Sequence, residues 1–442
     1  MDNVKTVYIL GAGASAAVGL PIQNKLIEKI FTLTYEDIPE SENFLSEDTL
    51  NNTLNSYYEY FEVNRRYLAD FLIQCFSNNE LKNYYYTYKS QISKPEQEKI
   101  FNSACHKELW KNIYMFLKEI VISLEDVFTT LDKVKINNDS YGIFTSSNID
   151  LISTSLKNCI IYVLSFFIAK SKNSSTLYNT ISKFFISQRI QGNDQNPFSI
   201  ISLNWDTLLD SYIYKACLDH NRQYPMNQLY PDYCFYNYDL SHNLPSTLIK
   251  AKGFLNIKIM KLHGSINWLE CPNCGRIYTD FNNLISLKSL SNHLDLNDGV
   301  CECCSSLKRS SFTQSIIITP TFLKTFSSHY LKNIWHNAYL DLCKASEVVF
   351  IGYSLPDADF ELKYILKKAI KPDCKITVIL HQNDNPKYYE DTLKNNLNVE
   401  NSEFISILLN RLSLPEHRYK NFFPNNYLSF DYNGIDSYFT QK

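Results

Sequence analysis

The stretch that decides the fold is Val7–Pro21, VYILGAGASAAVGLP, in which a short apolar run passes into a glycine turn and then into small residues. Glycine adopts backbone angles that a Cβ forbids, and it lets a ligand come close to the peptide N–H groups. The stretch is therefore typical of a strand that leads into a phosphate-binding loop. The loop residues expected to contact a diphosphate are Gly11, Ala12, Gly13, Ala14 and Ser15.

One feature of ordinary dinucleotide-binding dehydrogenases is missing after this loop. Those enzymes place an acidic residue at the end of a second strand, about 20 positions further on. Here Glu28 falls inside Ile22–Thr34, whose apolar residues recur at helical spacing. An ordinary Rossmann dehydrogenase is therefore disfavoured. On its own, a glycine turn of this kind is equally consistent with a simple tight turn, so its meaning depends on the rest of the chain.

Composition bounds the class of protein. The chain has 442 residues, of which 45% are apolar and 20% charged, and its formal net charge is −3. These values indicate a globular protein of two or three domains without a broadly basic surface, so no direct nucleic-acid binding is predicted. The longest apolar segment, Cys159–Ala169, is too short to span a bilayer, and no export signal is evident. We therefore expect a cytoplasmic protein with no membrane association.

The domain organisation follows from glycine usage and helical spacing. Between residues 35 and 196 glycine almost disappears, and long segments alternate polar and apolar residues at helical spacing. We expect a mainly helical insertion there, with the polar stretch Lys133–Asp139 as a loop. The domain that carries the glycine loop would then be split over residues 1–34 and 197–384, and residues 385–442 would form a C-terminal extension.

Apolar runs separated by helical segments predict a parallel sheet and an α/β fold. The predicted strands are Phe198–Leu203, Ile257–Leu262, Ser315–Thr319, Glu347–Ile351 and Lys375–Leu380. Ligands of open α/β sheets bind at the carboxyl ends of the strands. The segments that follow these strands are therefore candidate site segments: residues 204–206, 263–268, 352–359 and 381–384.

Cysteines are concentrated in one short module at residues 269–312. Cys271-Pro-Asn-Cys274 and Cys301-Glu-Cys303-Cys304 are two knuckles separated by 26 residues. Four thiolates at this spacing close a tetrahedral zinc site, which leaves no open position for catalysis. We predict a structural zinc ion held by Cys271, Cys274, Cys301 and Cys304. The alternative is a set of buried cysteines without a metal.

Four motifs stand in one order along the chain: GAGAS-x3-GLP at Gly11–Pro21, SLNWD at Ser202–Asp206, KLHGSINW at Lys261–Trp268, and GYSLPDAD at Gly352–Asp359. In this combination the chain closely resembles the sirtuin superfamily, and within it the bacterial SIR2-like antiphage defence proteins, such as the Sir2 subunit of Sir2–HerA systems. The resemblance covers about residues 4–30 and 197–384. It implies a Rossmann-like sheet of sirtuin type that binds NAD as a substrate.

The resemblance also implies roles for individual residues. Asn204 matches the asparagine that holds the nicotinamide ribose and the attacking water, and His263 matches the general base. Asp206 falls at the nicotinamide-pocket position, the diphosphate would lie on the glycine loop, and Gly352 and Ser354 match a turn near the adenine ribose. Asn383 is a weaker match to the residue after the last strand. The same resemblance suggests a homo-oligomer and a HerA-like ATPase as partner.

One departure from the family bears on the reaction. Sirtuin deacylases follow their glycine loop with Gly-Ile-Pro-Asp-Phe-Arg, whereas this chain continues Gly19-Leu-Pro-Ile-Gln-Asn24. Without the Asp-Phe-Arg set, hydrolysis of NAD to ADP-ribose and nicotinamide is the expected reaction, in a gated defence effector that depletes cellular NAD. The alternatives are an NAD-dependent protein deacylase and a non-catalytic NAD- or ADP-ribose-binding subunit that assembles with an ATPase.

Overall fold

The computed structural model describes residues 5–38, 48–91, 104–119, 122–171, 176–192, 196–235, 238–239, 254–271, 273–279, 281, 287, 304, 314–317, 329–356, 359–387 and 414–441. Within these ranges the protein is a mixed α/β structure, as the sequence predicted. The strands are β1 (Thr6–Leu10), β2 (Phe198–Ser202), β3 (Gln228–Asp232), β4 (Tyr238–Asp239), β5 (Phe254–Lys261), β6 (Gly264–Glu270), β7 (Ile277–Thr279), β8 (Gln314–Ile317), β9 (Glu347–Ile351), β10 (Lys375–Ile379) and β11 (Leu428–Asp431).

Seven of these strands form a parallel sheet in the order β11-β10-β9-β1-β2-β5-β3. The first strand lies at its centre, where Leu10 is in register with Ser202 on one side and Ile351 on the other. Both faces of β1 are covered, which is why its sequence TVYIL is nearly all apolar. Because all seven strands run the same way, their carboxyl ends lie along one edge of the sheet.

The helices cover the sheet and extend beyond it. They are α1 (Ala12–Ala16), α2 (Leu26–Thr32), α3 (Asp48–Phe76), α4 (Asn79–Gln91), α5 (Ala104–Glu119), α6 (Leu124–Asn137), α7 (Ser146–Ser171), α8 (Thr176–Gln191), α9 (Leu208–Gln223), α10 (His329–Cys343), α11 (Phe360–Ala369), α12 (Pro415–Phe422) and α13 (Gly434–Thr440). The sequence placed a loop at Lys133–Asp139, which is wrong for most of that stretch. The helix continues to Asn137 because Leu131 and Val134 are buried, and it ends at Asn138 in the left-handed conformation.

Helix α7 is the centre of the helical part. By length and composition it is the one helix in the described residues that is apolar enough to cross a membrane, with a mean hydropathy of 1.7 over its most apolar window. That window is 72% buried inside the protein. The ring of Tyr162 stacks on Phe61 of α3 at 4.4 Å, and its hydroxyl donates a hydrogen bond to the Leu54 carbonyl oxygen at 2.9 Å. The apolar surface of α7 is thus used in packing against neighbouring helices.

The C-terminal residues complete the main sheet. The sequence assigned residues 385–442 to a C-terminal extension without a defined role, and within that range β11 pairs in parallel with β10 and forms the edge of the sheet. Helix α12 places Tyr419 in the core, where its hydroxyl donates to the Tyr353 carbonyl oxygen at 3.0 Å. This region therefore supports the turn that follows β9.

A smaller four-stranded sheet, in the order β4-β7-β6-β8, lies beside the main one. Its strand β6 begins at Gly264, directly after the turn that ends β5. Gly264 has φ +73°, and a Cβ there would lie 2.2 Å from the Ile316 carbonyl oxygen. Only glycine fits at this point. The close contact with Ile316 fixes the position of the turn at His263 between the two sheets.

Candidate functional site

The glycine loop lies against the turn that follows β9. The Gly13 amide donates to the Gly352 carbonyl oxygen at 2.8 Å, and a Cβ on either Gly11 or Gly13 would come within 2.7 Å of that oxygen. The sequence attributed these glycines to the close approach of a diphosphate. The structure shows that glycine is also required here by contacts within the protein, because the backbones of the two motifs pack directly against each other.

Three polar side chains meet where β1 and β2 end. Asn204 Nδ2 donates to the Gly11 carbonyl oxygen at 3.0 Å and to Ser15 Oγ at 3.1 Å. Ser15 Oγ donates to Asp206 Oδ2 at 2.8 Å. Ser15 and Asp206 are buried and Asn204 is half-buried. The loop motif and the SLNWD motif thus form one network, although Ser15 and Asp206 are 191 residues apart in the chain.

The directions of these hydrogen bonds fix the orientation of the Asn204 amide. A backbone carbonyl oxygen only accepts, so the group that faces Gly11 must be the amide NH2. Among the described residues, the other amide atom, Asn204 Oδ1, is buried and has no hydrogen-bond partner. A buried acceptor without a partner costs about 1–3 kcal/mol. The arrangement therefore suits a ligand or water that donates a hydrogen bond to Asn204 Oδ1.

Asp206 connects the network to the base of helix α9. Its Oδ1 accepts the Leu208 amide at 3.0 Å, so both carboxylate oxygens accept hydrogen bonds. Burial raises the pKa of Asp206, whereas the nearby charge of Lys261 and the Ser15 hydroxyl lower it. The ionised form fits the observed bonds, because a protonated oxygen would compete with one of the two donors. Asp206 thus orients Ser15 and, through it, Asn204.

His263 lies at the next strand end, after β5. Its Nε2 is 3.7 Å from Asp359 Oδ1, and Asp359 Oδ2 accepts the Tyr353 hydroxyl at 2.9 Å. Burial and the neighbouring Asp359 raise the pKa of Tyr353 well above its ordinary value, so this hydroxyl remains a donor. The imidazole is mostly buried beside a carboxylate that is itself held in place, which is an arrangement used to orient a base.

The remaining predicted site residues lie along the same edge of the sheet but outside this network. Four of them are exposed: Ala12 and Gly13 at the start of α1, Ser354 after β9 and Asn383 after β10. Gly352 has φ +58°, a left-handed conformation that suits glycine. The Asn383 amide donates to His381 Nδ1 at 3.2 Å within a short 3-10 turn. These positions form an open rim around the buried polar groups.

Three of the four predicted metal ligands come together beside the smaller sheet. The sulfur atoms of Cys271, Cys274 and Cys304 all lie within 4.8 Å of one another. Cys301 lies outside the described residues. Thiolates gathered at this distance fit a zinc ion, and Cys271 and Cys304 are buried while Cys274 is exposed. The structure thus supports a metal module, at the end of β6 opposite to His263.

Several residues of this region were not identified from the sequence as part of the site. Asp359 and Lys261 lie inside the quoted motifs. The available signal was a charged residue at the apolar end of a strand for Lys261, and an acidic residue in the loop after a strand for Asp359. Tyr178 comes from α8, in the helical part, and its hydroxyl is 3.4 Å from Ser15 Oγ. Burial raises the pKa of this tyrosine, and no local sequence pattern marks it.

No family model and no curated protein matches this chain. Among solved structures, the chain is similar to one titled "The Structural basis for Sirtuin Substrate affinity", with 13% identity over 85% of this chain and 80% of that one and a TM-score of 0.28. A Sir2–p53 peptide–NAD+ structure aligns with 13% identity, the same coverage and a TM-score of 0.27. A Sir2 homologue bound to ADP-ribose aligns with 11% identity over 94% and 92%, at a TM-score of 0.28. Alignments this loose carry no argument about the activity of this chain.

Proposed function

We propose that the protein is an NAD glycohydrolase that cleaves NAD to ADP-ribose and nicotinamide. The observation that carries the proposal is Asn204, whose NH2 is bonded within the protein and whose carbonyl oxygen is left as a buried acceptor at the sheet edge. A ribose hydroxyl and a water molecule are both donors that match this atom. The order of the four sequence motifs, which resembles that of SIR2-like proteins, supports NAD as the compound that supplies the ribose.

The reaction needs few covalent steps from the protein. The bond between ribose C1 and the nicotinamide nitrogen breaks, and its electron pair neutralises the positively charged ring, which leaves as nicotinamide. Water adds to C1 and loses one proton. In this proposal Asn204 orients the ribose and the water, and His263, held beside Asp359, accepts the proton. NAD+ and water thus give ADP-ribose, nicotinamide and a proton.

The segment after the glycine loop supports hydrolysis over deacylation. It forms a 3-10 turn at Gln23–Lys25 and then helix α2, with no Asp-Phe-Arg sequence. The helical part holds it in place, since Arg65 Nη1 donates to the carbonyl oxygens of Ile30 at 3.2 Å and Leu33 at 2.9 Å. A water molecule needs no peptide groove, so this closed packing is compatible with hydrolysis.

We place the activity in a regulated antiphage effector that depletes NAD, assembled as a homo-oligomer with a HerA-like ATPase. This part of the proposal rests on the motif resemblance alone. Its test is to express the chain with and without the neighbouring gene product during phage infection and to measure NAD in cell extracts. NAD levels that stay constant in every arm would contradict the defence role and leave the enzymatic proposal standing.

The enzymatic proposal is tested with purified protein, with and without the neighbouring gene product. We expect nicotinamide release from NAD by the wild type, and a loss of about 100-fold or more in Asn204→Ala and in His263→Ala, because the reacting groups lose their orientation. Asn112→Ala is the matched control, since Asn112 is half-buried on α5, outside the proposed site, and bonded to Tyr84. Absence of release from both wild-type preparations would refute the proposal, and NAD-dependent removal of an acyl group from a lysine peptide would favour the deacylase.

A further inference from the structure

A buried ion pair lies directly beneath the proposed site. Lys261 Nζ and Asp210 Oδ2 are 2.8 Å apart, with 0% and 1% of the two side chains exposed. Lys261 is the last residue of β5, two positions before His263, and Asp210 lies in the first turn of α9. The pair therefore joins the strand that carries the histidine to the helix that follows Asn204 and Asp206.

The lysine also contacts the backbone of the site. Its Nζ donates to the carbonyl oxygen of Asp206, in the turn between β2 and α9. Asp210 Oδ2 additionally accepts the Tyr233 hydroxyl at 3.0 Å, and Tyr233 in turn accepts Asn267 Nδ2 at 3.1 Å. These bonds form one chain of donors and acceptors that extends from the Asn204 turn to β6 of the smaller sheet.

We propose that Lys261 is a positioning residue, which holds the turn bearing Asn204 and Asp206 at a fixed place relative to His263. The inference deepens the proposed hydrolysis and rests on it for the reaction, but the positioning itself is a structural claim. Stability alone does not account for the pair, because a buried ion pair is often no more stabilising than a well-packed apolar pair. What an apolar pair lacks is the directional bond to the Asp206 carbonyl oxygen.

The charge of Lys261 has a second effect on the same turn. The charged and titratable groups that face Asp206 are Lys261 from β5, Asp210 from α9 and Tyr178 from α8, together with the Ser15 hydroxyl. Burial raises the pKa of Asp206, and Lys261 opposes this more strongly than Asp210 adds to it. Loss of both charges of the ion pair should therefore raise the pKa of Asp206.

The test uses the full chain with Lys261→Met and Asp210→Asn combined, which removes both charges and keeps an acceptor for Tyr233. A crystal structure of this double variant is expected to show the 204–206 turn displaced relative to His263. A turn that superimposes on the wild type overturns the proposal, whatever the protein catalyses. This readout separates failure of the inference from failure of the proposed function, which wild-type nicotinamide release decides.

Kinetics provide a second readout. We expect kcat to fall about 10- to 100-fold with a smaller change in KM, because the reacting groups are misplaced. The acid limb of the pH profile should move to higher pH, as the raised pKa of Asp206 requires. The matched control is Lys5→Met with Asp341→Asn, a buried pair 2.6 Å apart at the opposite edge of the sheet, which should leave kcat and the pH profile unchanged.

If the double variant does not fold, the single variant Lys261→Arg tests the positioning role of Lys261. It keeps the charge but changes the geometry of the donor. The proposal then predicts a lower kcat with the acid limb in its wild-type position. A kcat equal to that of the wild type in Lys261→Arg overturns the proposal.

Discussion

Gly352 shows how the backbone of one residue constrains two motifs. Its φ of +58° is left-handed, and a Cβ there would lie 2.3 Å from the Ala14 amide nitrogen. The sequence predicted that the loop and this turn belong to one site. It did not predict their direct contact, because the signal of a glycine is the same whether the close neighbour is a phosphate or another backbone segment.

We expect Gly352→Ala to destabilise the protein more than Gly19→Ala. Both glycines have positive φ, +58° and +91°, so both changes carry a conformational cost of about 1–2 kcal/mol. A Cβ on Gly19 meets no described atom within 4 Å, whereas one on Gly352 overlaps the glycine loop. Urea unfolding of the two variants measures the difference. Equal losses of unfolding free energy would show that the contact between Gly352 and the loop is not a tight one.

Most strands of the main sheet were predictable from the sequence, whereas its edge strands and most strands of the smaller sheet were not. Four of the five apolar runs predicted as strands lie in the parallel sheet, with ends that differ by up to a few residues, because buried parallel strands are continuous apolar segments. The assignment of the fifth run, Ser315–Thr319, to that sheet is wrong, since its described part lies in β8, which pairs antiparallel with β6 in the smaller sheet. Strand β11 was not predicted, since it is a four-residue edge strand whose side chains are all half-buried. Tertiary packing, rather than local pattern, defines such an element.

Helix α3 allows the packing of the helical part to be tested. Phe61 is fully buried and stacks on Tyr162, while Val63 on the same helix is 43% exposed. We expect Phe61→Ala to lower the free energy of unfolding by about 3–5 kcal/mol through the cavity it leaves. Val63→Ala should change it by less than about 0.5 kcal/mol. Denaturant titration of both variants gives the comparison, and similar losses would mean that α7 does not pack on α3 as described.

The cysteine module brings together segments that are distant in the chain at the end of β6. Cys271 follows this strand directly, and its sulfur lies within 4.8 Å of the sulfur atoms of Cys274 and Cys304. The prediction that these cysteines bind a metal came from knuckle spacing alone, because two residues between cysteines suit tetrahedral coordination. When bound, a zinc ion would supply cross-links between segments that are distant in sequence.

We expect the purified protein to hold one zinc ion per chain and to lose several degrees of melting temperature when treated with a chelator, because metal binding is coupled to folding. Cys271→Ser should reproduce both effects. Cys75→Ser, a half-buried thiol of α3, is the control and should retain the metal. Elemental analysis and thermal denaturation provide the measurements. A chelated protein with unchanged melting temperature would assign the cysteines another role.

The central position of β1 has a consequence for biosynthesis. Thr6 is synthesised long before its strand partners, Phe198 and Glu347. At typical rates of translation, roughly 20 to 70 s pass before the second partner is made. Until then the apolar β1 segment lacks a neighbour on one side, and the contact of Gly11 with Gly352 cannot form. If the protein consumes NAD, synthesis as far as Gly352 is required before a chain can be active, and shorter nascent chains are harmless to the cell.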